Sequence, residues 1–165
     1  MDIINNRRSV RLFIDKQVEK EKIELLLRAG MQAPSANNVQ PWTFLVVQDK
    51  VNIECLISIS RPLKTATLAI LLFTKVDETK PREMYYGDMG AATQNILLEA
   101  ANIGLGGCWV GINNRTSRIE TVLKTFNIPN DLQPFSLLAL GYPEDENANH
   151  FIDRFNHDKV YLERF

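Results

Sequence analysis

The segment from Met84 to Ile103 constrains the fold more than any other stretch of the sequence. Its small and apolar residues lie around much of the circumference of a helix, and they include Ala91, Ala92, Ile96, Leu97, Leu98, Ala100 and Ala101. A helix that is apolar all round is usually buried on all sides. Burying about 30 Å of helix in this way is difficult within 165 residues. The segment therefore indicates a partner subunit, and a central helix beneath the chain's own sheet is the alternative.

The other apolar patterns predict several helices and strands around this segment. A helical pattern runs from Val18 to Met31 and should end near Gly30, before a stretch with two prolines and two asparagines. Ser117 and Glu120 have the spacing of a capping box, which predicts that another helix opens there. Strands are predicted at 43–47, 68–73, 108–112 and 135–140, and a short helix at 53–59. This element order favours an α+β fold over a regular βαβ array.

The composition argues against several classes of function. A net charge of −1 gives no global reason to bind nucleic acid or an anionic membrane, and the apolar runs are too short to span a bilayer. Cys55 and Cys108 form no CxxC pair, and the spacing of His150, Asp153 and His157 matches no common metal site. The first residues lack the apolar region of a signal peptide. We therefore expect a single cytoplasmic domain over residues 1–165 without a metal.

The stretch from Arg7 to Arg11, RRSVR, is the first with residues suited to a ligand. Three guanidiniums and a hydroxyl within five residues can collect a phosphate and a second anionic or carbonyl-rich group. The alternative is a solvated basic patch.

A second stretch, PSANNVQPW from Pro34 to Trp42, places amide and hydroxyl groups on a loop between a helix and a strand. Polar loop residues held by rigid neighbours are common in ligand sites. The alternative is a turn whose side chains satisfy their own backbone.

The glycine-rich stretch GLGGCWVG, from Gly104 to Gly111, follows a helix and precedes a strand. A dinucleotide fingerprint needs the opposite order, so a Rossmann site is excluded. Gly107 and Gly111 would instead let the backbone approach a flat ligand, or form a tight turn. The sequence also lacks a hydrolase elbow and a P-loop, which favours an enzyme whose cofactor carries the chemistry.

In order and spacing these segments resemble the short members of the nitroreductase family of flavoproteins. The resemblance extends over RRSVRLF, AGMQAPSANNVQPW, RPLKTATLAILLF, YYGDMGAATQNILLEAANIGLGGCWVG, LALGYP and the ending DRFNHDKVYLERF. It implies an α+β fold with a mixed central sheet flanked by helices. It also implies an intertwined homodimer with FMN at the interface, in which the tail from about residue 144 reaches over the partner. The tail aromatics, among them Phe151 and Phe165, agree with such docking.

The resemblance also implies which residues contact FMN. Arg7 and Ser9 should bind its phosphate with Arg154 from the tail, Arg8 should lie near the ribityl chain, and Arg11 should face the pyrimidine edge and stabilise the reduced flavin. The residues expected along the ring are Trp109, Val110, Gly111 and Ile112, and those expected from the partner subunit are Pro34, Ser35, Ala36, Asn37 and Asn38. Ile152 stands where many members have a basic residue, and a contact between Lys64 and the flavin stays open.

The implied function is electron transfer from NADH or NADPH through FMN to an electron-poor acceptor such as a nitroaromatic or a quinone, by a ping-pong mechanism. A specialised flavin reductase, a dehalogenase or an enone reductase is the alternative within the same family. A flavin-binding protein without catalytic activity is the alternative from another class.

Overall fold

The chain forms helices on both faces of a four-stranded sheet in a computed structural model that describes residues 3–75, 82–113 and 115–165. The helices are α1 (Ile3–Asn6), α2 (Lys20–Met31), α3 (Lys50–Glu54), α4 (Arg82–Asn102) and α5 (Thr116–Phe126). The strands are β1 (Trp42–Val47), β2 (Leu68–Lys75), β3 (Gly106–Gly111) and β4 (Leu132–Gly141). Single 3-10 turns occupy Ala36–Asn38, Arg61–Lys64 and His157–Lys159. The predicted α+β class is confirmed.

The strand order is β1-β2-β4-β3, and each neighbouring pair is antiparallel. A parallel pairing occurs at an isolated bridge that joins Ser9, outside the four strands, to Gly107 of β3. The central strands β2 and β4 are buried almost throughout because helices cover both faces of the sheet. The sheet therefore has two edge strands, β1 and β3. The N-terminal stretch, Arg7–Arg11, lies beside β3.

Alternate residues of β2 supply two separate hydrophobic cores, as the period of two in a strand requires. Leu68, Ile70 and Leu72 pack with α2 and α4 on one face. On the other face Ala69, Leu71 and Phe73 join a core with residues of α3 and α5.

Helix α4 is buried on the side that faces the sheet and α2. Met89, Ala92 and Ile96 are fully buried there, and Gly30 of α2 permits the close approach, because a Cβ atom at Gly30 would lie 3.0 Å from the Ile96 side chain. Leu98 is only half-buried. The chain's own sheet thus covers one side of the helix and leaves part of the other side accessible.

The predicted capping box at Ser117 is wrong. Helix α5 begins at Thr116 with Arg115 as its N-cap, and no side chain forms a capping hydrogen bond. Ser117 lies inside the first turn, where its carbonyl accepts a hydrogen bond of 2.9 Å from the Thr121 hydroxyl. An N-cap needs extended backbone, and Arg115, with φ −132° and ψ 95°, supplies it.

The tail is exposed from residue 150 to residue 165. Leu162 retains 85% of its accessible surface, and Phe151 and Phe155 are also exposed. Tyr161 and Phe165 contact each other, with ring centroids 4.6 Å apart. In the described ranges, no helix is long and apolar enough to cross a membrane.

Candidate functional site

The N-terminal stretch lies along the outer edge of β3. The Val10 N–H donates to the Gly107 carbonyl at 3.0 Å, beside the Ser9–Gly107 bridge. Gly106 makes this close approach possible, because a Cβ atom there would lie 2.7 Å from the Val10 side chain. The stretch Arg7–Arg11 is therefore held next to the strand that carries Trp109 and Gly111.

A cluster of positive charge forms where this stretch meets the tail. Arg7 is half-buried, and its pKa is lowered first by burial and then by the positive charges of Arg8 and Arg154. Like charges that share a site repel one another, so a bound anion would stabilise all three guanidiniums. The structure brings Arg154 of the tail near the adjacent Arg7 and Arg8, and the chemistry of three guanidiniums fits a phosphate.

Arg8 connects the N-terminal stretch to the tail. Its guanidinium donates to the carbonyls of His150 and Arg7, each at 2.8 Å, and to the carbonyl of Asn5. Its backbone N–H donates to Oδ1 of Asn149 at 3.0 Å. Arg8 thus holds the two segments that carry Arg7 and Arg154.

Arg11 is exposed and lies close to β3. Its Nη1 donates to the Ser9 carbonyl at 3.1 Å. Burial raises the pKa of the Cys108 thiol, and the positive charge of Arg11 opposes that rise. The charge of Arg11 therefore acts on a side chain of β3, and its contact with a ligand along that strand stays a prediction.

The outer edge of β3 offers backbone groups to a ligand. The Gly107 carbonyl faces Val10, away from β4, and alternation along a strand turns the N–H groups of Trp109 and Gly111 to the same side. A Cβ atom at Gly111 would meet nothing within 4 Å. Trp109 is 38% exposed and contacts Phe135, with ring centroids 6.2 Å apart.

The side chains of Val110 and Ile112 belong to the core and not to the site. Both are buried on the face that α3 and α5 cover, and the Ile112 N–H donates inward to the Phe135 carbonyl at 3.3 Å. These two residues can therefore meet a ligand only through their backbone.

The loop Pro34–Asn38 is held by an acidic residue that the sequence analysis missed. Asp88, buried on α4, accepts a hydrogen bond of 3.0 Å from the Ala36 N–H. Its signal in the sequence is a lone acid in the largely apolar segment YYGDMG. The Asp88 carboxylate therefore anchors the loop to α4.

The loop also satisfies part of its own polar groups, as the alternative interpretation predicted. The Ser35 hydroxyl accepts from the Gln40 N–H, and Asn38 Oδ1 accepts from Gln40 Nε2, each at 3.0 Å. Asn37 and Asn38 adopt left-handed backbone with φ of 53° and 54°, which asparagine tolerates better than most residues. The exposed residues of the loop, Pro34, Asn37 and Asn38, face outward from the single chain.

Lys64 lies elsewhere, at a cavity of about 270 Å³ beside α3. Phe13, Ile53 and Leu63 also line that cavity and belong to the core on the α3 and α5 face. The structure therefore does not join Lys64 to the arginine cluster.

Comparisons with known proteins show the family to which this chain is related. A family model described as the nitroreductase family matches residues 4–64 and 58–142. A protein of Archaeoglobus fulgidus with the provisional name NADH dehydrogenase/NAD(P)H nitroreductase is 37% identical, over 100% of this chain and 98% of its own length.

Solved structures also resemble this chain. One from Clostridium acetobutylicum, provisionally named an NADH oxidase, has a TM-score of 0.93 and 48% identity over 99% of this chain and 100% of its own. Another, from Desulfovibrio desulfuricans and provisionally named a nitroreductase, was solved in complex with FMN. It has a TM-score of 0.80 and 29% identity over 98% of this chain and 94% of its own. The chain belongs to the nitroreductase family.

Proposed function

We propose that the protein is an FMN-dependent oxidoreductase that uses NADH or NADPH as its electron donor. The observation that carries the proposal is the cluster of Arg7, Arg8 and Arg154 beside the exposed edge of β3. The family relatives named above include a provisional NAD(P)H nitroreductase and a structure in complex with FMN. When bound, FMN would accept a hydride from the nicotinamide and pass electrons to a second substrate.

The arginine cluster suits the single phosphate of FMN better than a dinucleotide pyrophosphate. Arg7 and Arg154 would pair with the phosphate, the Ser9 hydroxyl would add a hydrogen bond, and Arg8 would hold the two segments together. The glycine pair at the start of β3 is already used for packing, since Gly106 meets Val10 and Gly107 meets Leu97. No glycine turn at this place is available for a pyrophosphate.

The edge of β3 suits the ring system of a flavin. The outward N–H groups of Trp109 and Gly111 would donate to acceptor atoms of the ring such as N5, and Gly111 leaves space for a flat ligand. Val110 and Ile112 would contribute backbone alone. Arg11 would place its charge at the N1 and O2 edge, where it favours the reduced, anionic state.

A homodimer would complete the site. The exposed tail carries apolar side chains, such as Phe155 and Leu162, that a second copy of the chain would bury. The accessible side of α4, where Leu98 is half-buried, would pack in the same interface. The partner's loop Pro34–Asn38 would then line the other side of the ring. Sedimentation at micromolar concentration should give twice the chain mass of 18.8 kDa, and a stable monomer loaded with FMN would contradict the dimer.

We further propose ping-pong turnover with an electron-poor acceptor such as a nitroaromatic or a quinone. The donor and the acceptor would occupy one open face of the flavin in turn, so initial rates against both substrates should give parallel double-reciprocal lines. Intersecting lines would contradict this order. Oxidation of NADH or NADPH with a dye acceptor separates an enzyme from a flavin-binding protein without catalytic activity.

The purified protein itself tests the proposal most directly. It should show the absorption bands of a flavin, or acquire them on reconstitution, and heat denaturation should release FMN, which chromatography identifies. Release of FAD, or failure to bind any flavin after reconstitution, would contradict the proposed function.

A further inference from the structure

Asn149, near the start of the tail, joins three segments of the chain through one side chain. Its Oδ1 accepts a hydrogen bond of 3.0 Å from the Arg8 N–H, and its Nδ2 donates to the Leu105 carbonyl at 3.1 Å. A backbone N–H can only donate and a carbonyl can only accept, so the two contacts fix the orientation of the amide. An asparagine therefore matches both partners, whereas an ionised aspartate, which only accepts, would match one.

The Leu105 carbonyl is a rigid point of attachment for the tail. Leu105 is fully buried between α4 and β3, and its N–H donates to the Ala100 carbonyl at 2.7 Å. The N-terminal stretch has a separate attachment, since the Val10 N–H donates to the Gly107 carbonyl of β3. Loss of the Asn149 side chain would therefore loosen the tail and leave the N-terminal stretch beside β3.

The tail beyond His150 is attached weakly to the rest of its own chain. In the part of the chain that the structure describes, the hydrogen bonds of residues 151–165 join tail residues to one another. The His150 carbonyl accepts from the Arg8 guanidinium at 2.8 Å, but that contact is exposed, so water competes for both groups. The half-buried Asn149 amide is thus the last shielded attachment before Arg154.

The length of free chain before Arg154 depends on this attachment. Arg154 lies five residues beyond Asn149, and ten residues beyond Glu144, whose N–H donates to the Leu12 carbonyl. Release of the tail back to Glu144 would double the free length. Doubling the length of a flexible segment lowers the local concentration of its end at a fixed point about threefold. The Asn149 side chain therefore keeps the Arg154 guanidinium concentrated near Arg7.

We infer that Asn149 is a positioning residue for the phosphate site, because it holds the tail where Arg154 can meet a phosphate beside Arg7. The inference rests on the proposed binding of FMN and adds a residue that the sequence analysis did not single out. Asn149 would itself touch no flavin atom, since its Oδ1 and Nδ2 are both engaged within the chain. Its effect should therefore be confined to ligands that carry a phosphate.

Fluorescence titration of the flavin-free full chain with FMN and with riboflavin, which lacks the phosphate, tests this role. The wild type should bind FMN at least tenfold more tightly than riboflavin. Asn149→Ala should weaken FMN binding about threefold and leave riboflavin binding unchanged. Asn147→Ala is the matched control, because its exposed side chain lies two residues earlier in the chain. It should bind both flavins as the wild type does.

Arg154→Gln supplies the background in which the role of Asn149 should disappear. This variant alone should weaken FMN binding at least tenfold, as expected for a lost bond between a guanidinium and a phosphate. Addition of Asn149→Ala should then change FMN binding no further, because two residues that act through one contact are not additive.

Four results would overturn the inference. Equal weakening of FMN and riboflavin binding by Asn149→Ala would indicate a disturbed fold, and a further threefold loss in the double variant would indicate an effect that does not pass through Arg154. Unchanged FMN binding in Asn149→Ala would show that another contact, such as one with the partner subunit, holds the tail. Failure of the wild type to bind FMN would overturn the proposed function together with the inference.

Discussion

Two glycines of β3 separate the packing of this strand from its role in the candidate site. A Cβ atom at Gly107 would lie 2.6 Å from Cδ2 of Leu97 and 2.8 Å from Cδ2 of Leu140. A Cβ atom at Gly111 would meet no atom within 4 Å. Neither glycine has the positive φ found at Gly104, so the backbone accepts alanine at both positions. Gly107→Ala is therefore a packing variant, and Gly111→Ala is its matched site variant.

Gly107→Ala should lower the free energy of unfolding because the ends of the buried Leu97 and Leu140 side chains must shift within a packed core to admit the methyl group. Overpacking of a core costs about 1–3 kcal/mol, and replacing glycine by alanine returns about 0.4–1 kcal/mol through the unfolded chain. The net loss is about 0–2.6 kcal/mol and is centred near 1.3 kcal/mol. For a chain of this size the central value corresponds to a fall in Tm of roughly 3–5 °C. Gly111→Ala should show only the gain in stability that comes from the unfolded chain. It should nevertheless weaken FMN binding, because its methyl group would occupy the space left for the flavin ring.

The assay combines denaturant unfolding of the FMN-free proteins with a fluorescence titration of FMN. All unfolding measurements use one protein concentration, since association of subunits would shift apparent stability. An equal loss of stability in Gly111→Ala and Gly107→Ala would contradict the different packing of the two glycines. Wild-type FMN binding by Gly111→Ala, with weakened binding by folded Gly107→Ala, would contradict the place of Gly111 in the site.

Three further variants test individual contacts. Arg7→Gln should weaken FMN binding at least tenfold, as expected for a lost bond to a charged group of about 1.5–3 kcal/mol. It should leave the FMN-free protein no less stable at low salt, because it relieves repulsion from Arg8 and Arg154; a loss of stability in salt-dependent urea unfolding would count against the cluster. Arg11→Ala should lower the flavin potential by roughly 30–65 mV in a dye-coupled titration, and an unchanged potential would remove Arg11 from its role. Asp88→Ala should free the Ala36 N–H and speed hydrogen exchange there, whereas unchanged exchange would show that the loop holds itself.

Local sequence patterns determined the secondary structure to within a few residues at most places. The helix predicted from Met84 to Ile103 is α4, Arg82–Asn102, and the strand predicted at 68–73 is β2, Leu68–Lys75. These patterns succeed because apolar periodicity is fixed by which face of an element is buried. The prediction of a capping box was wrong because the start of a helix depends on the backbone conformation of the segment before it. Residue types alone do not fix that conformation.

The order and spacing of the motifs also identified the family, and through it the residues to examine. Individual roles within those motifs were harder to predict. The pattern CWVG marks a buried strand, but only the pairing with β4 shows that Gly111 faces open space while Val110 faces the core. A one-residue shift of register would exchange the two faces.

The family resemblance implied that Arg7 and Arg154 share a ligand, but only the tertiary structure shows which contacts hold distant groups together. Arg7 and Arg154 come together because Arg8 ties the N-terminal stretch to the tail at His150. The Ala36 N–H finds Asp88 because α4 passes beneath the loop. Such contacts join residues that are far apart in the chain, so they depend on how the elements pack and leave no periodic signal in the sequence. The hydrophobic pattern therefore specifies the elements, and their packing specifies where charge is concentrated.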